Sequence, residues 1–191
     1  MRARLTGGKT ASMPALTMPT TRVHASFLAA MSESMAEGRG GLGDDTAIGR
    51  EISRYARGWA DPAVFGEYVG WLCAKAQEES PRPAGFVPST TLWWVSEDEY
   101  LGRIVIRHRL TPWLRDYGGH IGYDVRPSAR RRGHATAMLA AALPVANALG
   151  IDPGLLTCDA DNTASRKVIE ASGGTLEDRR GVKLRFWVPT S

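Results

Sequence analysis

The chain has 191 residues, 43% hydrophobic and 23% charged, with a formal charge of +4. That composition suits a single globular domain burying about 70% of its unfolded surface. No run approaches the roughly 18 apolar residues needed to cross a bilayer, and the basic balance permits an anionic partner without choosing one. The first stretch, Met1 to Thr21, carries Arg2, Arg4 and Lys9 but no continuous apolar core, so it reads as a tail rather than a secretory leader. Cys73 and Cys158, far apart in sequence, read as buried reduced thiols of a cytoplasmic protein.

The organisation is a helical front followed by alternating strands and helices, without internal repeats. Positions 1–20 read as a flexible tail, 21–86 as a helical extension packed on the core, and 87–191 as the core itself. Ser26 to Glu37 supports a helix with Ser26 as N-cap and Phe27, Leu28, Met31 and Met35 at helical spacing. The glycine-rich Gly38 to Gly43 follows a helix and lacks a Gly-Lys-Ser/Thr ending, so it reads as a connector. A second helix is predicted over Asp45 to Arg57. A third has Asp61 as N-cap and Pro62 at its first position, and continues to Glu79.

From Thr90 the pattern changes. Thr90 to Ser96 and Tyr100 to Leu110 are rich in β-branched and aromatic residues and read as a hairpin. Gly119 to Val125 is a strand entering a basic turn, and Arg132 to Leu149 is a long helix closed by Gly150. Pro144 inside that helix predicts a kink. Leu155 to Asp159 is a short buried strand, Asn162 to Ala171 a helix, and Thr175 to Glu177 with Lys183 to Val188 a final strand pair. Alternation of this kind indicates an α/β fold, a twisted mixed sheet of about six or seven strands with helices on both sides.

The chemistry concentrates in the turn after Val125. The opening of a helix has backbone N–H groups without intrahelical partners and a partial positive charge. Gly133 allows a ligand to approach the main chain, and Arg130, Arg131 and Arg132 add charge around it. This is a site suited to a diphosphate, with donors from Arg131 to Thr136, including His134 and Ala135.

The spacing Arg130-x-x-Gly133-x-Ala135, preceded by Val125-x-Pro127, resembles the Arg/Gln-x-x-Gly-x-Gly/Ala signature of the GNAT superfamily of N-acetyltransferases. The run from Asp161 to Gly174 is similar to that family's Asn-x-x-Ala/Ser-x-x-Leu/Val-x-Glu-x-x-Gly stretch, and the resemblance extends over about Val87 to Val188. It also touches a branch of bacterial acetyltransferases through Gly118-Gly-His-Ile-Gly-Tyr123 and Leu156-Thr-Cys-Asp159. The resemblance implies that acetyl-coenzyme A binds with its diphosphate on the basic turn. Its pantetheine arm would pair with the main chain of Tyr123, Asp124 and Val125, splayed from the Leu155 to Asp159 strand, and Asn162 and Ser165 would face it. The implied reaction is acetyl transfer to an amine by direct attack in a ternary complex.

Two departures bear on mechanism. The tyrosine that many relatives use to protonate the departing thiolate is Ile169 here, and a common acid/base glutamate is Thr157. His120, on the strand before the turn, is the best remaining general base by type and position, with His108 and Asp124 behind it. The scattered histidines and cysteines give no metal spacing. A coenzyme-A-binding regulatory protein without turnover remains an alternative reading. Nucleic-acid binding is a weaker one, because the arginines cluster at one turn instead of forming a stripe. The acceptor amine is not legible, and the extension reads as one wall of an acceptor pocket or a homodimer contact.

Overall fold

The computed structural model describes residues 12–44 and 46–191. Seven strands form one sheet: β1 (Ala15–Thr17), β2 (Ser89–Ser96), β3 (Glu99–Arg107), β4 (Ile121–Val125), β5 (Gly154–Asp159), β6 (Thr175–Arg180) and β7 (Lys183–Val188). Their order is β1-β2-β3-β4-β5-β7-β6, and every neighbouring pair is antiparallel except the parallel β4 and β5. Five helices cover the sheet: α1 (His24–Ala36), α2 (Ala47–Tyr55), α3 (Pro62–Ala74), α4 (His134–Ala148) and α5 (Thr163–Ala171).

Successive residues of β2 point to opposite faces, which separates two cores. Trp93 and Val95 pack with Phe27, Trp59, Phe65, Tyr68 and Leu72 from the α1–α3 side. Leu92 and Trp94 join Ile104, Ile106, Leu156 and Phe186 under Met138, Leu139 and Ile169 of α4 and α5. Phe27 sits at the centre of the first core, with its ring 5.0 to 5.8 Å from those of Trp59, Phe65, Tyr68, Trp93 and Tyr100. Burial on both faces explains why β2 and β3 read as nearly continuous apolar runs.

Several boundaries differ from the sequence expectation. Ala15–Thr17, expected within a flexible tail, pairs with Thr17 opposite Trp93 and forms the sheet edge. Residues 1–11 of that stretch lie outside the described residues. The first helix begins at His24, and Ser26 is not its cap. Its hydroxyl accepts the Tyr100 N–H at 2.9 Å and an Arg126 guanidinium N–H at 3.1 Å. Asp61 caps α3 as expected, accepting from Ala63 and Val64, but the helix ends at Ala74 rather than Glu79. Pro144 is carried within one uninterrupted helix. The π-type turn Leu114–Gly118 had no sequence signal. Cys158 is buried and Cys73 only half-buried, and neither forms a disulfide.

A buried ionic group ties the helical front to the sheet. Glu51 of α2 accepts the Tyr68 hydroxyl at 2.6 Å and the Arg103 Nη1 at 2.5 Å, with Lys75 Nζ 3.8 Å away. Arg103 on β3 is 1% exposed; burial opposes its charge, and the Glu51 and Asp124 carboxylates more than offset that and raise its pKa. Truncation of Glu51 would strand a buried guanidinium. Glu51→Ala is therefore expected to lower unfolding free energy by about 3–5 kcal/mol, read from urea denaturation. A loss within the error of the fit would show that Arg103 finds compensation elsewhere.

Candidate active site

The site is organised by strands that part. β4 and β5 share a single residue pair, Ile121 with Leu156, and diverge beyond it. Two features close the apex. Gly119 adopts φ 63, and a Cβ there would lie 2.5 Å from the Leu155 carbonyl oxygen, so only glycine allows this approach. Next to it, the His120 N–H donates to Leu155 O at 2.7 Å and the Leu155 N–H donates to His120 Nδ1 at 3.0 Å. On its other side β4 is fully paired to β3. Bonds from Arg107 N–H to His120 O and from Arg126 N–H to Leu101 O set the alternation, which turns Gly122 and Asp124 towards β3. The main-chain groups of Tyr123 and Val125 consequently face the opening. Arg130 Nε caps the Val125 carbonyl there at 3.2 Å.

The chain leaves β4 through Arg126 and a 3-10 turn at Pro127–Ala129. Arg131 and Gly133 then take positive φ values of 64 and 81. Gly133 is the N-cap of α4, no side chain caps that end, and no acidic residue lies in its first turn. The amides of His134, Ala135 and Thr136 are left without intrahelical acceptors, since the first α4 bond runs from Ala137 N–H to Gly133 O. A Cβ on Gly133 would meet nothing within 4 Å. His134 Nδ1 accepts from the Trp94 indole at 3.3 Å, whereas its Nε2 is buried without a partner.

These elements line a groove of about 980 Å³, whose wall brings together Tyr123, Asp124, Val125, Arg130, Arg131, Gly133, His134, Ala135, Thr136, Asn162 and Ser165. Asn162 caps α5 through Oδ1 to the Ser165 N–H at 3.0 Å. Two expected residues fall elsewhere. Arg132 is exposed and off the wall, and His120 is held at the apex. Arg130 borders the groove with its guanidinium forked onto Glu37 of α1 at 2.9 and 2.8 Å. Glu33, one turn earlier, takes Arg126 at 2.6 Å and the Ser128 N–H at 2.9 Å. The Arg126 bond, with help from Ser128, holds the Glu33 carboxyl down to about 2 despite burial. Glu33 on α1 and Glu37 at its C-cap, one turn apart, meet the basic turn only through folding, and no sequence signal paired them with it.

A second cleft of about 580 Å³ opens on the α2 side of the same gap. Its floor is Val105, Arg107, Gly122 and Asp124, and Tyr123, Asp124, Asn162 and Ser165 border both cavities. At that junction the Tyr123 hydroxyl lies 2.8 Å from Ser165 Oγ. Burial, opposed by the Ser165 bond, pushes the Tyr123 pKa up to about 12, so the hydroxyl keeps its proton.

His120 does not reach either cavity wall. Its Nδ1 is committed to Leu155, and burial with Arg107 and Arg115 nearby pushes its pKa down to about 4. The neutral imidazole with its proton on Nε2 is thus part of the apex, not a group poised to accept a proton near neutrality. Its folded value lies below the ordinary value, so the stability it contributes is complete above about 6.5 and declines as pH falls towards 4. Imidazole NMR should report an Nε2–H tautomer and a midpoint near 4. A midpoint near the ordinary histidine value would contradict the clamp.

With the geometry established, comparison with known proteins is direct. The sequence model of the acetyltransferase (GNAT) domain matches residues 48–175. No curated protein sequence matches the chain significantly. Among solved structures, Mycobacterium smegmatis RimJ in complex with CoA-disulfide superposes with a TM-score of 0.62 at 18% identity, over 91% of this chain and 80% of that one. The microcin C7 self-immunity acetyltransferase MccE, with acetyl-CoA and AMP, gives 0.60 at 11% identity over 95% and 94%. RimL, a ribosomal L7/L12 alpha-N-protein acetyltransferase, gives 0.57 at 16% identity over 94% and 91%. These likenesses establish the fold, and the domain match over most of the chain establishes kinship: the protein belongs to the GNAT family of acetyltransferases.

Proposed function

We propose that the protein transfers the acetyl group of acetyl-coenzyme A to an amine acceptor, with the two substrates entering the parted strands from opposite sides. The observation that carries this reading is the continuity of three features: the gap between β4 and β5, the uncapped start of α4, and a second cleft that meets the first at Tyr123 and Ser165. Family membership supports the chemistry, and structures with acetyl-CoA or coenzyme A bound share this fold.

The residues present fit the cosubstrate. Amides from His134 to Thr136, with Arg131 beside them, would hold a diphosphate. The outward main-chain groups of Tyr123 and Val125 would pair with the amides of an extended arm, as a sheet edge pairs with an added strand. The orphaned His134 Nε2–H supplies a further donor at the groove. Acetyl-coenzyme A supplies an activated thioester carbonyl. Main-chain N–H groups at the gap polarise its oxygen, and the juxtaposition of the cavities orients the amine for attack. Tyr123 and Ser165 provide a proton-holding hydroxyl pair at the junction of the two cavities, whereas Ile169 is fully buried in the core. Asp124 faces both cavities and would orient the acceptor ammonium.

No histidine or glutamate lines the second cleft among the described residues. The acceptor would therefore bind as the ammonium that Asp124 orients and lose its proton to solvent before attack, without a dedicated base of neutral pKa. No described helix is long and apolar enough to cross a membrane, and the cytoplasm is the compartment this reading assigns, where free thiols such as Cys73 and Cys158 persist.

Isothermal calorimetry should register coenzyme A binding, and free-thiol release should accompany turnover with an amine panel. Failure to bind coenzyme A would remove the reading altogether. Binding without turnover across the panel would favour a regulatory coenzyme A binder. Gly133→Val places a β-branched residue at φ 81 and should weaken coenzyme A by roughly tenfold, at about 1–2 kcal/mol of strain. With turnover, kcat/KM should rise with pH along the acceptor amine's own titration, and His120→Gln should leave that inflection in place. An inflection near neutrality that disappears in His120→Gln would restore the histidine as base.

A further inference from the structure

The charges of the acceptor cleft do not balance. Asp44, Asp124 and Asp159 border it, and each already faces a cation: Arg39 at 3.5 Å, Arg103 at 3.7 Å and Lys183 at 2.7 Å respectively. Arg107 lies on the same floor, and no described carboxylate comes within 4.0 Å of it. Its Nη1 donates instead to the carbonyl oxygens of Gly118 and Gly119, at 2.9 and 3.1 Å. Those bonds fix the guanidinium without neutralising it.

The guanidinium lies over a position that has no side chain. A Cβ on Gly122 would meet only Arg107 Nη1 and Nη2, at 3.7 and 3.8 Å. Glycine there leaves the cationic face open to the cleft. Burial, with Arg50 and Arg103 adding repulsion, pushes the Arg107 pKa down to about 10, so a bound anion would relieve a strained positive charge. At the cleft mouth, Trp113 and Tyr117 are 59% and 43% exposed with ring centroids 6.1 Å apart, and offer apolar cover for a linking segment.

We propose that Arg107 is the specificity residue of the acceptor cleft, binding a carboxylate or phosphate carried by the same molecule as the reacting amine. The assignment rests on the acetyltransferase reading above and names its acceptor class. Asp124, which would take the ammonium, is two residues along β4 from Gly122, a separation of about 7 Å. The acceptor therefore carries its two charges several bonds apart, more widely than a free α-amino acid does.

The test measures calorimetric binding to the coenzyme-A-loaded protein, which does not depend on turnover. δ-Aminovalerate and aminobutyl phosphate are compared with the neutral δ-aminovaleramide. At least one anionic amine should bind roughly tenfold or more tightly than the amide, the contribution of a charge-assisted bond, and the tighter of the two identifies the anion. Arg107→Gln should erase that ratio, Arg107→Lys should keep most of it, and Arg107→Glu should shift preference to cadaverine. Equal affinities of the wild-type protein for all three ligands, or no binding by either anion, overturn the proposal. Persistence of the ratio in Arg107→Gln overturns it as well. Loss of coenzyme A binding by the wild-type protein would instead indict the acetyltransferase reading, so the two failures are distinguishable.

Discussion

The parting of β4 from β5 is the constraint on which the remaining architecture depends. A sheet gains stability by pairing every strand, and here a central strand forgoes most of its contacts on one side. The fold tolerates this because the apex is strongly fastened. Glycine at position 119 permits main-chain contact with Leu155, and His120 forms a two-way clamp with the same residue. Beyond the clamp, the Tyr123 side chain reaches across to α5 and joins Ser165. The outward backbone groups of Tyr123 and the Val125 N–H are left for the amide-bearing ligand proposed above, the Val125 carbonyl being bonded to Arg130.

The helical front serves that opening from two directions. Through Glu33 and Glu37, α1 grips Arg126, Ser128 and Arg130, so the turn leading to α4 is positioned before any anion arrives. Arg130 thus contributes order to the loop through Glu37 and the Val125 carbonyl. Through Glu51 and Arg103, α2 fastens the sheet directly beneath Asp124. Desolvating charge is costly, and such a cluster is a poor way to gain stability alone. Its position behind the junction of the two cavities accounts for it better as a means of fixing Asp124.

The two cavities differ in the residues that line them. The groove at α4 offers main-chain donors and arginines, the set that the proposed cosubstrate requires. The second cleft carries residues outside the motif, including Arg107, Trp113 and Tyr117. On the proposed reading, specificity lies on the face built by α2 and the irregular turn after β3.

Local patterns in the sequence determined the α/β class, the helix starts at Asp61 and Asn162, the basic turn and most of the residues that line the groove, because these depend on neighbours within a few positions. Gly133, Asn162 and the alternation along β4 signal their geometry through backbone preference alone. What lay beyond reach depended on groups distant in sequence. The hydroxyl of Ser26, apt as a helix cap, was taken by Tyr100 and Arg126, and the tail residues Ala15–Thr17 found the exposed edge of β2. His120 has the right chemical type for a base, yet Leu155 and two arginines, brought beside it only by folding, bind its lone pair and depress its pKa. Arg107 became notable for the opposite reason: tertiary packing supplied a carboxylate to its neighbours and none to it.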